Sequence, residues 1–350
     1  LILSSLANMG EKIPCFTLGF ENSSKYYEER SDAKRLASYF GMKHYDIEMS
    51  SKNLLDIVPE VFNASDEPFA DSSSLPFYAL SKEVSKDITV ALSGDGGDEV
   101  FGGYRKYIGE KWANLGLMIP DSFRQFLINN LIENKDNYYG EFSRRLKRYF
   151  SSITKDPVNR QINWLRQLNE KDINALLGSS RNYKNIFEEA RKGFSDKINS
   201  ILVGDLAISL SGDMLVKLDR MSMANSLEIR SPFLDKALVE YSFSMPGTYK
   251  VGLFKGKRIL RSVFSERLPK WSINLPKKGF EVPLANWFKK DLKSMIDHVS
   301  MKKNLDKIGI KNHLLIDKWK RDLFFNNKDT SWKLWTLISY YHWCENRGIN

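Results

Sequence analysis

The sequence predicts an α/β protein in which a doubly wound parallel sheet is followed by a large all-helical extension. Over about the first hundred of the 350 residues, short apolar runs alternate with segments of helical periodicity. That order is typical of a parallel sheet covered by helices on both faces. From about residue 105 the pattern changes to helical periodicity with many aromatic residues and no convincing strand up to about residue 200. We therefore divide the chain into residues 1–104 and 105–350.

The elements of the first part follow from the spacing of their apolar residues. A short continuous apolar run predicts a buried strand, and apolar residues three and four positions apart predict an amphipathic helix. Ala33, Leu36 and Phe40 have this helical spacing, and Gly41 is a suitable residue to end their helix. The predicted strands are Ile13–Phe20, Lys43–Ile47 and Ile88–Leu92, and the predicted helices are Glu28–Phe40, Leu54–Phe62 and Leu75–Val84.

The second part is predicted to remain helical to its end. Loops interrupt it around Pro246–Gly256 and Pro269–Pro283, where proline and glycine cluster. No internal repeat and no low-complexity linker separates the two parts.

Composition narrows the class of protein. At 42% hydrophobic residues the chain can bury a sizeable core. No apolar run approaches the roughly 18 residues of a membrane span, so we expect no membrane insertion. Cys15 and Cys344 lack metal-ligand spacing, and the four histidines are scattered and fit surface or packing roles. We therefore expect a cytoplasmic protein with reduced thiols.

The formal net charge of +10 raises the question of nucleic-acid binding. The basic residues are spread out, with local runs only at 144–148 and 289–290, and no helix-turn-helix, zinc-finger or RNP pattern is present. An anionic small substrate such as a nucleotide also favours a positive surface. We therefore expect small-molecule substrates and no nucleic-acid partner.

The segment Ser93–Tyr104, with the sequence SGDGGDEVFGGY, follows the predicted strand Ile88–Leu92 directly. Glycines allow positive φ and close approach of a ligand to the backbone. Three carboxylates lie between Asp95 and Glu99, and carboxylates bind a hard cation such as Mg²⁺, whereas exposed amides bind phosphate oxygens. The pattern favours a metal–nucleotide site at the carboxyl end of a strand. A tight acidic turn before a capped helix is the plainer alternative.

The chain opens on the apolar, helix-like run Leu1–Ala7 with no initiator methionine and no strand before it. In α/β folds such a helix usually follows a strand and a ligand-binding loop. We therefore expect that the natural protein carries further residues before Leu1.

Several separated motifs together resemble the C-terminal synthetase domain of glutamine-dependent asparagine synthetases, within the N-type ATP pyrophosphatase family. The match runs nearly end to end and keeps the family's order. Its segments are Phe16–Phe20, Glu28–Glu29 with Ala33, His44, Asp66–Ser73, Ser93–Tyr104, Asp213–Arg220, Leu227–Asp235, Gly256–Arg261 and Pro276–Phe280.

The resemblance implies an adenine nucleotide alpha hydrolase-like core in residues 1–104 that lacks its first strand and phosphate loop. Residues 105–350 would complete the active site, and a glutaminase domain would precede the whole chain in the full-length protein. A homodimer is compatible with this resemblance. The resemblance also assigns roles to individual residues: Lys257 and Asp95 catalytic, Asp98 a magnesium ligand, and Leu18, Ser93, Gly94 and Gly96 in contact with the nucleotide.

The implied reaction is the ATP-dependent synthesis of asparagine. The side-chain carboxylate of aspartate attacks the α-phosphate of ATP, and β-aspartyl-AMP and pyrophosphate form. Ammonia released from glutamine then displaces AMP. This chemistry needs charge neutralisation and positioning rather than a protein nucleophile, and no Ser/His/Asp or Cys/His constellation stands out in the sequence.

The position of Lys257 in the sequence also indicates an anionic ligand, independently of the resemblance. It begins a predicted helix after Gly256, and a cation at a helix N-terminus is unfavourable by several tenths of a kcal/mol. An anionic ligand would explain a lysine there, although exposed lysines tolerate such a cost.

Other residues have structural alternatives. Asp98 can N-cap a helix starting near Glu99 as well as bind metal, and Leu18 can be a core residue. We predict that Lys217, Asp219 and Arg220 form a supporting ion network and that 232–235 fixes a packed turn. Whether Asp66, Glu67 and Asp71 touch aspartate is open at this point.

Two further functions remain open from the sequence alone. One is a related enzyme that adenylates another carboxylate, such as a β-lactam or carbapenam synthetase or an amidotransferase for a cell-surface sugar. The other is a basic, non-catalytic binding protein on the same scaffold. Asp95, Asp98 and Lys257 argue against the second.

Overall fold

The computed structural model of the protein describes residues 1–21, 29–130, 138–179, 183–275, 282–326 and 328–349. In the first part of the chain strands and helices alternate, as predicted. The elements are α1 (Ile2–Asn8), β1 (Cys15–Phe20), α2 (Arg30–Tyr39), β2 (His44–Met49), α3 (Ser51–Ala64), α4 (Ser74–Val84), β3 (Val90–Leu92) and α5 (Gly97–Phe101).

The second part is almost entirely helical in the described residues. Its first elements are α6 (Arg105–Met118), α7 (Asp121–Asn130), α8 (Tyr138–Ser152), α9 (Pro157–Leu165), α10 (Glu170–Leu177), α11 (Lys184–Ala190), α12 (Lys197–Gly204), a π-helix (Asp205–Met214) and α13 (Leu215–Met223). They are followed by β4 (Glu228–Arg230), a 3₁₀ turn (Pro232–Leu234), α14 (Lys236–Ser244), α15 (Gly247–Lys250), α16 (Arg258–Val263), α17 (Lys270–Ile273), α18 (Leu284–Lys289), α19 (Lys293–Val299), α20 (Lys302–Lys307), α21 (His313–Phe324) and α22 (Ser331–Asn346).

The strands form two separate parallel pairs. β1 pairs with β2, so that Leu18 lies opposite Ile47, and β3 pairs with β4, so that Ala91 lies opposite Ile229. The α/β class and the parallel pairing are confirmed. The single doubly wound sheet is not observed in the described part of the chain, because no strand there joins β1 to β3.

β4 corrects the prediction that the second part is helical to its end. It has only three residues, and Ile229 is flanked by Glu228 and Arg230. Such a short run carries no recognisable strand pattern. It becomes a strand through tertiary pairing, since Glu228 N–H donates to the Thr89 carbonyl at 2.9 Å.

One hydrophobic core joins the two parts of the chain. Leu18 and Phe62 from the first part share it with Trp287 and Trp335 from the second. Phe62 stacks on Trp335 with ring centres 5.4 Å apart, and Trp335 is 1% exposed. The C-terminal helix α22 is therefore part of the support for the strands near the N-terminus.

Lys250 is a buried cation without a matching anion in contact. It is 0% exposed, and its Nζ has no hydrogen-bond partner within the described residues. The ammonium lies 4.0 Å from the centre of the Phe243 ring. Burial lowers the pKa of Lys250 to about 8, and Asp196 opposes this only in part.

We expect Lys250→Met to stabilise the protein at neutral pH. The unfolded chain holds the proton up to its ordinary pKa of 10.5, whereas the folded protein releases it near 8. The lysine therefore destabilises the fold below about pH 8, by up to about 3 kcal/mol, and this penalty fades toward pH 10.5. Denaturant unfolding across this pH range measures the effect. Lys236→Met, at an exposed position, is the control, and an unchanged or lower stability of Lys250→Met at pH 7 would contradict the prediction.

Candidate active site

The predicted ligand loop begins where β3 ends, and β4 holds its first residue. Ser93 N–H donates to the Arg230 carbonyl at 2.9 Å, and the Ser93 and Ser231 hydroxyl oxygens are 3.0 Å apart. Ser93 Oγ also accepts from Asp95 N–H at 3.4 Å. The strand pairing between distant segments therefore positions the start of the loop.

Glycine is required where the loop turns into α5. Gly96 has φ of 82° and is the N-cap residue of α5. A Cβ at Gly96 would overlap the side chain of Leu234, and one at Gly97 would come within 3.2 Å of the Phe233 ring. The 3₁₀ turn at 232–234 is thus packed against the loop, and Asp235 caps α14 by accepting from Leu238 N–H. The packing role predicted for this turn is confirmed.

Asp98 and Lys257 meet in a direct ion pair. Lys257 Nζ lies 2.9 Å from Asp98 Oδ1, and the side chains are 30% and 15% exposed respectively. The two residues are far apart along the chain, and the fold brings their side chains into contact. The prediction that Asp98 caps its helix is wrong, because α5 begins one residue before Asp98, its N-cap is Gly96, and it has no side-chain cap bond.

Three glycines allow this approach. A Cβ on Gly103 would overlap Asp98 Oδ1 and approach Lys257 Cε, and a Cβ on Gly256 would overlap the carbonyl oxygen of Gly102. Gly102 itself has φ of 70° and ends α5. The backbone of the 102–103 turn and that of the Lys257 loop are therefore in contact, with no room for a side chain between them.

Lys257 is held in a left-handed backbone conformation. Its φ is 52° and it is the N-cap residue of α16, which confirms that it begins a helix. A left-handed conformation costs a non-glycine residue about 1–2 kcal/mol, and such strain is typical of functional sites. A glycine or asparagine would adopt this conformation at a lower cost.

The other predicted site residues, the catalytic Asp95 and the nucleotide contacts Gly94 and Leu18, lie at different depths. Gly94 and Asp95 stand at the loop surface, exposed and half-buried respectively. Leu18 is 6% exposed, belongs to the main core and lies in the middle of β1. Its role against the adenine ring stays a prediction, and its packing role is evident.

A buried ion pair ties the acidic loop before α4 to α13. Lys217 Nζ lies 2.9 Å from Asp71 Oδ2 and donates to Ser73 Oγ at 2.8 Å. Burial would raise the pKa of Asp71 and lower that of Lys217, but their mutual attraction reverses both shifts. Arg220 pairs with Asp66, whereas Asp219 is exposed. The supporting network is confirmed for Lys217 and Arg220.

Sequence reasoning missed a buried polar chain beneath the loop. Tyr104 donates to Glu99 at 2.6 Å, and Lys106 and Tyr107 both reach Asp205 Oδ2 at 2.6 Å. Burial raises the pKa of Glu99. Asp205 begins the π-helix, a rare conformation often found at functional sites. Neither the π-helix nor these contacts leaves a periodic signal in the sequence.

Asp213, near the end of the π-helix, faces the same cluster. Burial and the neighbouring Asp71 raise its pKa to about 6, against the attraction of Lys217 and Lys106. Asp213 was noted only as part of a motif. Asp213 also reaches solvent, and the solvent screens part of the repulsion that raises its pKa.

The donors present fit a magnesium ion shared with a substrate. No cluster of three or more acidic, histidine or cysteine side chains suited to a metal occurs among the described residues. Mg²⁺ commonly takes only one or two protein carboxylates and completes its shell with phosphate oxygens and water. Asp98, at the rim of a glycine-rich loop, matches that pattern. Two motif segments, Glu28 and Pro276–Phe280, lie outside the described residues.

The fold and the site define an α/β protein with a glycine-rich loop and buried or half-buried ion pairs at the end of a parallel strand pair. The sequence model of the asparagine synthase family matches residues 1–345. The chain therefore belongs to the asparagine synthase family. Across the described part of the chain, no helix has the length and apolar character needed to cross a membrane.

Individual relatives agree with this membership. The chain is 28% identical to a glutamine-hydrolyzing asparagine synthetase of Bacillus subtilis, over 98% of this chain and 53% of that protein. A putative glutamine-hydrolyzing asparagine synthetase of Mycobacterium tuberculosis is 28% identical over 78% of this chain and 42% of its own length. Amidase chyE of Penicillium rubens is 24% identical over 87% of this chain and 49% of its length. The chain thus spans about half the length of these relatives.

We expect Gly256→Ala to separate the two loops of the site. The new Cβ would meet the Gly102 backbone, which cannot rotate away as a side chain could. The free energy of unfolding should fall by about 1–3 kcal/mol, measured by thermal or denaturant unfolding. Gly212→Ala is the matched control because a Cβ there has open space around it. Equal stability of the two variants would show that the close backbone approach is unimportant.

Proposed function

We propose that the protein is the synthetase part of a glutamine-hydrolysing asparagine synthetase. It would activate the side-chain carboxylate of aspartate with ATP to give β-aspartyl-AMP and pyrophosphate, and ammonia would then displace AMP to give asparagine. The observation that carries this proposal is the Asp98–Lys257 pair, held by a strained backbone at the end of a parallel strand.

The chemistry explains why these side chains matter. A carboxylate oxygen is a poor leaving group. When the adenylyl group of ATP is transferred to that oxygen, AMP becomes the leaving group, and it leaves readily. Four negative charges of ATP must be offset while the acceptor carboxylate, itself an anion, approaches the α-phosphate. Preorganised cations and backbone amides supply that stabilisation at no reorganisation cost.

The loop residues divide this work. Ser93, Gly94 and Gly96 present backbone to the nucleotide, and Leu18 supports the adenine side through β1. Asp95 stands beside the reacting carboxylate. Asp98 would hold Mg²⁺, which supplies positive charge to the pyrophosphate oxygens.

Lys257 would stabilise the negative charge that develops on the α-phosphate. Without nucleotide its ammonium is satisfied by Asp98 at 2.9 Å. The strained backbone fixes where the side chain starts, so little ordering remains to be done when the anion arrives.

The carboxylate that is activated distinguishes this proposal from the alternative functions. An enzyme for another carboxylate would share the nucleotide residues and differ in the cleft around Asp213 and Lys217. Pyrophosphate release measured with aspartate and with other carboxylates distinguishes them. A binding protein without catalysis would release none with any acceptor.

We expect Lys257→Ala to lower kcat far more than it raises the KM for ATP. The contact is made mainly in the transition state, so its loss falls on the chemical step. The measurement is aspartate-dependent pyrophosphate release by the full-length protein with ammonia as nitrogen donor, which bypasses glutamine. Lys257→Arg keeps the charge but changes its geometry, so its kcat should lie between that of the unmodified protein and that of Lys257→Ala. A near-normal kcat of Lys257→Ala would show that Lys257 has no role in the chemical step.

We expect Asp98→Asn to reduce pyrophosphate release by orders of magnitude while the protein stays folded. Asparagine keeps the shape but loses the charge that attracts Mg²⁺. Raising the magnesium concentration should recover part of the rate. Asp317→Asn, an exposed change on α21, is the control. If turnover of Asp98→Asn is unchanged without added magnesium beyond the normal assay concentration, Asp98 does not bind Mg²⁺ and serves only as the ion-pair partner of Lys257.

A further inference from the structure

The C-terminal end of α22 contacts the loop that joins α3 to α4. Trp343 Nε1–H donates to the Asp66 carbonyl at 3.1 Å, and an Arg347 guanidinium N–H donates to the same carbonyl at 3.2 Å. Between them, Asn346 donates to the side-chain oxygen of Asn63 at 2.8 Å. Helix residues three and four positions apart are neighbours on one face. One face of α22 therefore holds the start of this loop.

The same loop is held from its other side by α13. We call residues 65–73 the acidic loop. Arg220 pairs with the Asp66 carboxylate, and Lys217 Nζ lies 2.9 Å from Asp71 Oδ2. Lys217 and Arg220 are three positions apart and so lie on one face of α13. Asp66 is therefore fixed to α22 through its carbonyl and to α13 through its carboxylate.

The two donors on the Asp66 carbonyl start from a rigid element. A carbonyl oxygen has two lone pairs, and both are used here. The guanidinium of Arg347 forms a charge-assisted bond, which is stronger than a neutral one, and it lies 6.0 Å from the centre of the Trp343 ring. Trp343 packs against the main hydrophobic core. Because that core contains the fully buried Trp335 of the same helix, the positions of both donors are well defined.

The far end of the acidic loop lies at the candidate site. Asp71 accepts from Ser73 N–H at 2.9 Å, where α4 begins. Burial alone would lower the pKa of Lys217, but the carboxylates near it raise that pKa. Those carboxylates are Asp71, Asp213 and Asp95. Since Asp95 stands beside the reacting carboxylate in the proposed function, the acidic loop reaches the acceptor side of the site.

We propose that Trp343 and Arg347 are positioning residues for the acceptor carboxylate. Through the Asp66 carbonyl they hold the acidic loop against α13, and its far end then stays in place beside the acceptor. They act on the acceptor side, because close backbone contacts at glycines hold the Asp98–Lys257 pair on the phosphate side separately. This inference rests on the proposed function and adds to it that the C-terminal helix controls acceptor binding.

The test is Trp343→Phe, which removes the indole N–H and keeps an aromatic ring against the core. We expect the KM for aspartate to rise by about three- to tenfold, the scale of one lost hydrogen bond. The KM for ATP should change by less than about twofold, since the phosphate side is held independently. The measurement is pyrophosphate release by the full-length protein with ammonia as nitrogen donor.

Two further variants define how the contact works. Trp332→Phe is the matched control, because Trp332 is a half-buried residue of the same helix and its indole has no hydrogen bond in the described part of the chain. Both KM values should stay near those of the unmodified protein. Arg347→Lys keeps a charged donor, so it should raise the KM for aspartate less than Arg347→Met does.

Amide hydrogen exchange without ATP or aspartate tests the hold on the loop separately from the proposed function. Ser73 N–H donates to Asp71 Oδ1, and Ser74 N–H donates to the Asp71 carbonyl at 3.1 Å. In Trp343→Phe both amides should exchange about tenfold faster. The amide of Val100, which is bonded within the loop after β3, should keep its rate.

The proposal is overturned if the Ser73 and Ser74 amides exchange equally fast in Trp343→Phe and in the unmodified protein. It is also overturned if the KM for ATP rises as much as that for aspartate, because the contact would then support the whole site. If Trp343→Phe does not fold, Arg347→Met at its exposed position decides by the same readouts. If the unmodified protein releases no pyrophosphate with aspartate, the proposed function fails, and the exchange rates still decide whether Trp343 holds the loop.

Discussion

The ion pair between Asp98 and Lys257 is the interaction on which the site depends. It joins the loop after β3 to the loop before α16. A Cβ on Gly103 would overlap Asp98 Oδ1, and a Cβ on Gly256 would overlap the carbonyl oxygen of Gly102, so this close approach needs both glycines. The pair is formed at the cost of a left-handed lysine backbone, and the surrounding packing must outweigh that cost. The site is therefore a product of backbone approach as much as of charge.

Two other features keep this approach in place. The Lys217–Asp71 pair fixes α13 to the loop before α4, and α13 leads directly to β4, which anchors Ser93. The large core around Trp335 fixes the C-terminal helix to the first strands. Removing one partner of a buried ion pair such as Lys217–Asp71 costs more stability than the pair contributes when it forms. These contacts position the loop through packing and charge.

The sequence predicted the local elements well and the long-range ones poorly. β1, β2, β3, α3 and α4 were found because each has the apolar periodicity of its class. β4 was missed because three residues with charged ends have no period. The cap of α5 was assigned to Asp98, although the positive φ of Gly96 moves the helix start. Leu234 also packs where a Cβ of Gly96 would lie, a long-range contact that sequence alone does not reveal.

For the site, motif resemblance selected Asp98 and Lys257, and the structure brought them to 2.9 Å. The polar contacts of Tyr104 with Glu99 and of Lys106 and Tyr107 with Asp205 were not predicted. The contacts to Asp205 depend on the π-helix and join distant segments of the chain. Leu18 shows the opposite case. Its pattern predicted a buried strand residue, and the structure buries it in the main core.

In the proposed function, Asp98 would hold the metal ion and Lys257 would contact the phosphate of one bound nucleotide. The most direct measurement is the stabilisation that a non-hydrolysable ATP analogue gives to the full-length protein, with and without Mg²⁺. A ligand at one hundred times its Kd stabilises by about 2.7 kcal/mol, so the contributions are resolvable. The account predicts that Asp98→Asn loses the increment due to Mg²⁺, and that Lys257→Met keeps this increment but loses part of the stabilisation seen without the metal. A full magnesium increment in Asp98→Asn would contradict it.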